Sequence, residues 1–198
     1  MLPWLPVCYS GGDFVRITGG EARGRAIAGP VGLDVRPTAS KIRQAFFNIL
    51  ADRVPGCRFL DICAGSGLMG LEALSRGAGN LIAVEESRTM ARSIESNIRR
   101  LGFQGEVICG DLAKVLPLIE PESVDIIYGD PPYRSQLAEA ILRLVDEYRL
   151  LTASGVLAIE HESDMSLPAE TVGLINYDRR KYGQTVVSFY RRLSGAES

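Results

Sequence analysis

The chain has 198 residues, with 46% hydrophobic and 23% charged residues and a formal net charge of −2. That balance belongs to a folded globular domain and excludes a disordered or collagen-like chain. No apolar run approaches the ~20 residues of a membrane-spanning helix.

The opening MLPWLPVCYSGG is apolar but lacks a basic start, so it reads as a short unstructured leader over residues 1–13 rather than a signal peptide. Residues 14–57 read as a separate unit. FVRITGGEARGRAIAG predicts two short strands joined at Gly19-Gly20, and RPTASKIRQAFFNIL predicts a helix. Thr38 or Ser40 would cap that helix, and Ile42, Ala45, Phe46, Ile49 and Leu50 would line one face. Residues 1–60 carry eight Arg or Lys against four Asp or Glu, and the remainder is acidic. Arginine suits phosphate contacts. A basic binding face and an ordinary solvated surface both satisfy this pattern.

From Arg58 to residue 193 the chain alternates, as a catalytic-size α/β domain would. Strand-like runs fall at 58–63, 81–85, 106–109, 124–129, 155–160 and 185–190, and helix-like segments at 68–76, 87–101, 112–118 and 135–148. This predicts a mainly parallel sheet covered on both faces, Rossmann-like, with one antiparallel strand from a closing hairpin around Gly183. Cys57, Cys63 and Cys109 lack metal-ligand spacing, as does Cys8, and read as reduced thiols. His161 has no ligand-type neighbours, so no metal is expected.

Gly65-Ser66-Gly67-Leu68-Met69-Gly70 matches G-x-G-x-x-G after a strand and at the start of a helix. The pattern alone suits a nicotinamide dinucleotide. Asp61, four residues ahead, argues otherwise. A carboxylate beside the loop repels a pyrophosphate, whereas S-adenosylmethionine brings an ammonium and a cationic sulfur. Ala64, Gly65, Ser66 and Gly67 would then meet the methionine end, and Glu85 the ribose hydroxyls. Asp111 would accept from the adenine amine, or merely cap the next helix. Glycines that only permit tight helix–strand packing are the bland alternative.

Asp130-Pro131-Pro132-Tyr133 ends the run VDIIYG and is the most specific signal in the chain. The Asp130 carboxylate and the Pro131 carbonyl can accept from an exocyclic NH₂. The prolines stiffen the turn and offer no competing N–H. Tyr133 offers a ring for a splayed-out base. These catalytic residues are expected two strands beyond the glycine loop in the sheet. The product would be an N-methylated amine.

Taken together, RITGGEARGR (16–25), RPTASKIRQAFFNIL (36–50), FLDICAGSGLMGLEALSRGA (59–78), Val84-Glu85, Gly110-Asp111, DPPY and RRKYGQTVVSFY (179–190) resemble the bacterial 16S rRNA (guanine-N2)-methyltransferase family, RsmD. The resemblance covers about Val15 to Tyr190. It implies a class I S-adenosylmethionine-dependent methyltransferase fold with a seven-stranded sheet and transfer to the exocyclic N2 amine of a guanine. It implies 16S rRNA in an assembled or assembling small ribosomal subunit as partner, in the cytoplasm, with a monomeric chain, no membrane and no metal. It also implies that Arg16, Arg23, Arg25, Arg36 and Arg43 lie near RNA or shape the mouth of the site, and that Thr38 helps cover the cofactor. Two segments depart from the family pattern. Ser87 stands where V-E-x-D has Asp, and Gln44 where R-E-x-L-F-N has Glu. The rival readings are an amino methyltransferase for adenine or cytosine in DNA or other RNA, one for protein glutamine, a nicotinamide oxidoreductase, and a non-catalytic RNA-binding module.

Overall fold

The computed structural model describes residues 15–27, 37–133 and 136–193. The leader and Arg36 lie outside these residues. Strands β1 (Val15–Arg16) and β2 (Ala26–Ile27) pair antiparallel as a small separate sheet. Helix α1 (Pro37–Ile49) follows. It starts at proline, a residue favoured in the first turn because its missing N–H would have no helical partner. Thr38 and Ser40 therefore fall inside the first turn rather than at the cap expected from the sequence.

The main sheet is built from β3 (Arg58–Ile62), β4 (Asn80–Glu85), β5 (Glu106–Cys109), β6 (Val124–Gly129), β7 (Leu151–Glu162), β8 (Leu174–Tyr182) and β9 (Thr185–Arg192). Helices α2 (Leu68–Ser75), α3 (Arg88–Leu101), α4 (Leu112–Val115) and α5 (Leu137–Glu147) connect the parallel strands. Ser87 caps α3 by accepting from the Met90 N–H, so the departure from V-E-x-D keeps a helix cap. The helix expected over 112–118 stops early and tightens into a 3-10 turn at Leu116–Leu118, where Pro117 cannot continue the α-helical hydrogen bonding.

The strand order is β5-β4-β3-β6-β7-β9-β8, and only β9 runs against the others. The chain builds outward from β3 to β5 and then returns, so that β6 pairs directly with β3. This corrects the expectation that the tetrad lies two strands away from the glycine loop. Alternate strand residues face opposite sides. Phe59, Ala83, Tyr128 and Phe189 meet α1, α2 and α3, whereas Leu60, Val84, Ile127 and Tyr190 meet α4 and α5. Among the described residues no helix is long and apolar enough to cross a membrane.

Helix α1 lies on the sheet itself. The Phe46 ring meets Tyr128 edge-on at 5.0 Å and stacks on Phe189 at 6.3 Å. A polar contact completes the attachment. Glu72 of α2 is wholly buried (0% exposed). It accepts from the Thr18 N–H at 2.7 Å, the Thr18 hydroxyl at 2.8 Å and Arg76 Nε at 2.9 Å, and Arg43 Nε stands 3.6 Å away. Gly19-Gly20 does not form a free hairpin tip. It docks on the end of α2, where the Glu21 N–H bonds the Ser75 carbonyl at 2.8 Å. A Cβ on Gly20 would sit 1.7 Å from that carbonyl oxygen, so only glycine fits.

Removing one partner of a buried ion pair leaves the other uncompensated. Glu72→Ala strands Arg43 and frees the Thr18 segment. It is expected to lower unfolding free energy by about 3–5 kcal/mol, measured by urea denaturation; a loss within experimental error would show that the network carries no stability.

Candidate active site

The carboxyl ends of β3, β4, β6 and β7 open into a cleft of about 1110 Å³, bordered by the first turns of α1 and by α5. It lies where the strand order reverses, the place at which open α/β sheets bind ligands.

The glycine loop leaves β3 through alternating left-handed positions, Cys63 (φ 58°), Gly65 (φ 54°) and Gly67 (φ 73°). The three motif glycines do different jobs. A Cβ on Gly67 would meet Ile94 at 2.8 Å, and one on Gly70 would meet Leu81 at 2.6 Å. Those two glycines permit close packing. A Cβ on Gly65 would find nothing nearer than 3.9 Å, so Gly65, beside Ala64 and Ser66, presents open backbone to the cleft.

Glu85 braces this loop. One carboxylate oxygen accepts from the Gly65 N–H at 2.8 Å and the other from the Ser87 N–H at 2.8 Å. Each oxygen keeps further lone-pair capacity for a ligand hydroxyl. Asp111 borders the cleft and caps α4 by accepting from the Ala113 N–H at 2.9 Å. The capping role weighed from the sequence is thus occupied in the structure.

Asp61 is 2% exposed and accepts from the Gly70 N–H at 2.9 Å. Burial pushes its carboxyl up to about 8; the Gly70 N–H opposes the shift, and Asp130 and Glu85 add repulsion. The β3–β6 pairing carries the tetrad to Asp61, and the Asp130 N–H bonds the Ile62 carbonyl at 3.3 Å. Asp130 meets solvent, but the enclosing walls raise its carboxyl to about 6. Tyr133 keeps 43% of its surface exposed while its hydroxyl shares a 2.5 Å hydrogen bond with Thr185. Its ring is anchored at one end and accessible on its face. The prolines Pro131 and Pro132 also line the cleft.

Two residues escaped the sequence reading. Glu160, on β7, borders the cleft beside the tetrad, and the Tyr128 hydroxyl donates to it. Arg143, exposed on α5, also reaches the cleft wall. Only the order of the strands, not any local motif, brings Glu160 to Asp130.

The arginines behave differently from expectation. Arg43 is 4% exposed, faces Glu72 and also borders the cleft, so it walls the site as a buried cation rather than presenting an exposed guanidinium. Arg25 bonds the Arg100 and Leu101 carbonyls at 3.0 and 3.5 Å. These close the C-terminal end of α3, at the end of the sheet away from the cleft, so Arg25 does not shape its mouth. Arg16 bonds the Gly24 carbonyl at 2.8 Å and Arg23 is exposed; neither lines the cleft. Arg36 and the side chain of Thr38 lie outside the described residues. Among the described residues no group of His, Cys, Asp and Glu is arranged to hold a metal ion.

A family model described as Conserved hypothetical protein 95 matches residues 15–191. The chain belongs to this family. Among similar proteins, YlbH of Bacillus subtilis is 34% identical over 90% of this chain and 99% of that one. The Ribosomal RNA small subunit methyltransferase D of Escherichia coli is 30% identical over 96% of each chain, and this is the group the motifs resemble. The solved structure of Escherichia coli yhhF superposes with a TM-score of 0.79 at 29% identity, covering 90% of this chain and 98% of that one. The sheet with its single reversed strand is the class I S-adenosylmethionine-dependent methyltransferase fold.

The cleft of this family member concentrates Asp61, Glu85 and Asp130, which favours a cationic ligand. An acid whose folded pKa is raised binds its proton more tightly when folded. Its effect on stability is therefore absent below about pH 4 and grows unfavourable as pH rises toward 8. Asp61→Asn should stabilise the ligand-free protein by at least about 1 kcal/mol at pH 8, with the gain vanishing near pH 4. Thermal melts of both proteins across that range check this; a pH-independent difference would contradict a buried, titrating Asp61.

Proposed function

We propose that this protein transfers a methyl group from S-adenosylmethionine to the exocyclic N2 amine of a guanine in 16S rRNA of the small ribosomal subunit. The observation that carries the reading is the β3–β6 pairing, which sets the amine-binding tetrad against the acid-flanked glycine loop. The relatives named as small-subunit rRNA methyltransferases support the substrate class.

The residues present fit the cofactor. Asp61 and Asp130 supply negative potential for its cationic groups. The open space at Gly65 and Ser66 leaves room for its carboxylate, Glu85 can meet its ribose hydroxyls and Asp111 its adenine amine. When bound, the cofactor supplies an electrophilic methyl group carried on a sulfonium.

The protein's own residues hold the nucleophile. Asp130 and the Pro131 carbonyl accept the two amine hydrogens. This turns the nitrogen lone pair away from the ring and toward the methyl group. Neither Pro131 nor Pro132 has an N–H to compete. The fixed Tyr133 ring stacks on the flipped base. No strong base is needed, because the amine proton leaves during or after transfer, and Asp130 is the nearest acceptor for it. Positioning and electrostatics supply the rate.

Asp130→Ala should leave affinity for S-adenosylhomocysteine largely intact and lower kcat by about 10²–10³-fold or more. Wild-type kcat should fall as pH drops through about 6, where Asp130 gains a proton and stops accepting. The deciding assay uses small subunits from a strain lacking the gene, followed by nucleoside mass spectrometry. N2-methylguanosine is expected. N6-methyladenosine would move the protein to an adenine methyltransferase, and full activity of Asp130→Ala would overturn the tetrad's role.

A further inference from the structure

Glu160 has no part in the mechanism above, yet it is built into the same cleft. It is 8% exposed. Ile159 pairs with Gly129 across β7 and β6, so Glu160 stands beside Asp130 on the neighbouring strand, across the spacing of about 4.7–4.9 Å between paired strands. Tyr128, Asp130 and Glu160 share one face of the sheet. The Tyr128 hydroxyl donates to Oε1 of Glu160. Among the described residues no donor meets Oε2 and no cation pairs with this carboxylate, and the side chain lines the cleft. Holding a carboxylate largely away from water is costly, and burial lifts its carboxyl to about 7. A glutamine would serve Tyr128 equally well without a charge.

Base chemistry supplies a partner. Adenine, cytosine and guanine all carry an exocyclic amine. In adenine and in cytosine the single ring nitrogen beside that amine carries a bare lone pair. In guanine one neighbour, N1, carries a hydrogen. A carboxylate next to the amine-binding Asp130 therefore attracts guanine and repels the other two. We propose that Glu160 is the specificity-determining residue of this site, accepting the guanine N1–H while Asp130 holds the 2-amino group. This rests on the methyl-transfer reading above. Tyr128 acts as the positioning residue that turns the second oxygen of Glu160 toward the base.

The test replaces guanine by 2-aminopurine, which keeps the 2-amino group and lacks the N1–H. Small subunits are reconstituted with 16S rRNA carrying either base at the position mapped by mass spectrometry. The wild type should methylate guanine with a kcat/KM at least about 100-fold above that for 2-aminopurine, because a site built for an N–H rejects the analogue without it. Glu160→Gln should shrink that ratio below about 10-fold, mainly by slowing the guanine reaction. Its amide can donate to the bare N1, its S-adenosylhomocysteine affinity should stay at the wild-type value, and its melting temperature should be no lower than wild type, because a costly buried charge is removed. Glu160→Asp keeps the charge and should hold a ratio above that of Glu160→Gln. A wild-type ratio in Glu160→Gln, or equal slowing on both bases, overturns the role of Glu160 while leaving the methyl-transfer reading intact. Absence of any N2-methylated product from the wild type overturns that reading and this one together.

Discussion

The parallel ladder between β3 and β6 is the constraint on which the site depends. Its register pairs Asp61 with Tyr128 and Ile62 with Gly129, so the acid before the glycine loop and the acid opening the tetrad must share one cleft. Like charges held together away from bulk water cost free energy in the folded chain. Loss of hydration raises the carboxyls of both Asp61 and Asp130, and repulsion from Asp130 and Glu85 adds to the shift at Asp61. A cationic ligand removes that cost, so the same electrostatics that weaken the free protein would strengthen its hold on such a ligand.

Glu72 shows what a purely structural acid looks like here. It is as buried as Asp61, but donors from Thr18 and Arg76 meet it and the Arg43 cation stands 3.6 Å away. Its charge is spent on attaching the N-terminal strand and α1 to the helix that the glycine loop opens. Phe46 and Phe47 add an apolar seal against Phe59, Tyr128 and Phe189. The contrast separates the acids of the molecule into two kinds. One has its partners within the protein, and the other keeps acceptor capacity facing a cleft.

The same distinction refines the glycine loop. Gly67 and Gly70 are glycines because α3 and β4 press against them, and Gly65 because its backbone faces space and adopts a left-handed turn. The packing explanation holds for two of the three, and Gly65 alone leaves space open to the cleft. The six-residue pattern therefore says less about the ligand than Asp61 does.

Most secondary elements were legible, because hydrophobic period and turn residues act over a few neighbours. The loop, DPPY and the closing hairpin were legible for the same reason. The boundaries at Pro37 and Pro117 shifted because proline's missing N–H favours a helix start and interrupts a helix interior. Arginine's role was not legible. A guanidinium suits phosphate or a buried carboxylate equally, and only the fold showed that Arg43 faces Glu72 and that Arg25 closes α3. The sequence by itself determined a doubly wound sheet with an acid-flanked glycine loop and an Asp-Pro-Pro-Tyr tetrad at a strand end. Tertiary structure alone decided that these two are neighbours, and that Glu160 stands beside Asp130. Strand order is set by packing across the whole chain, and no local pattern records which strand returns to which.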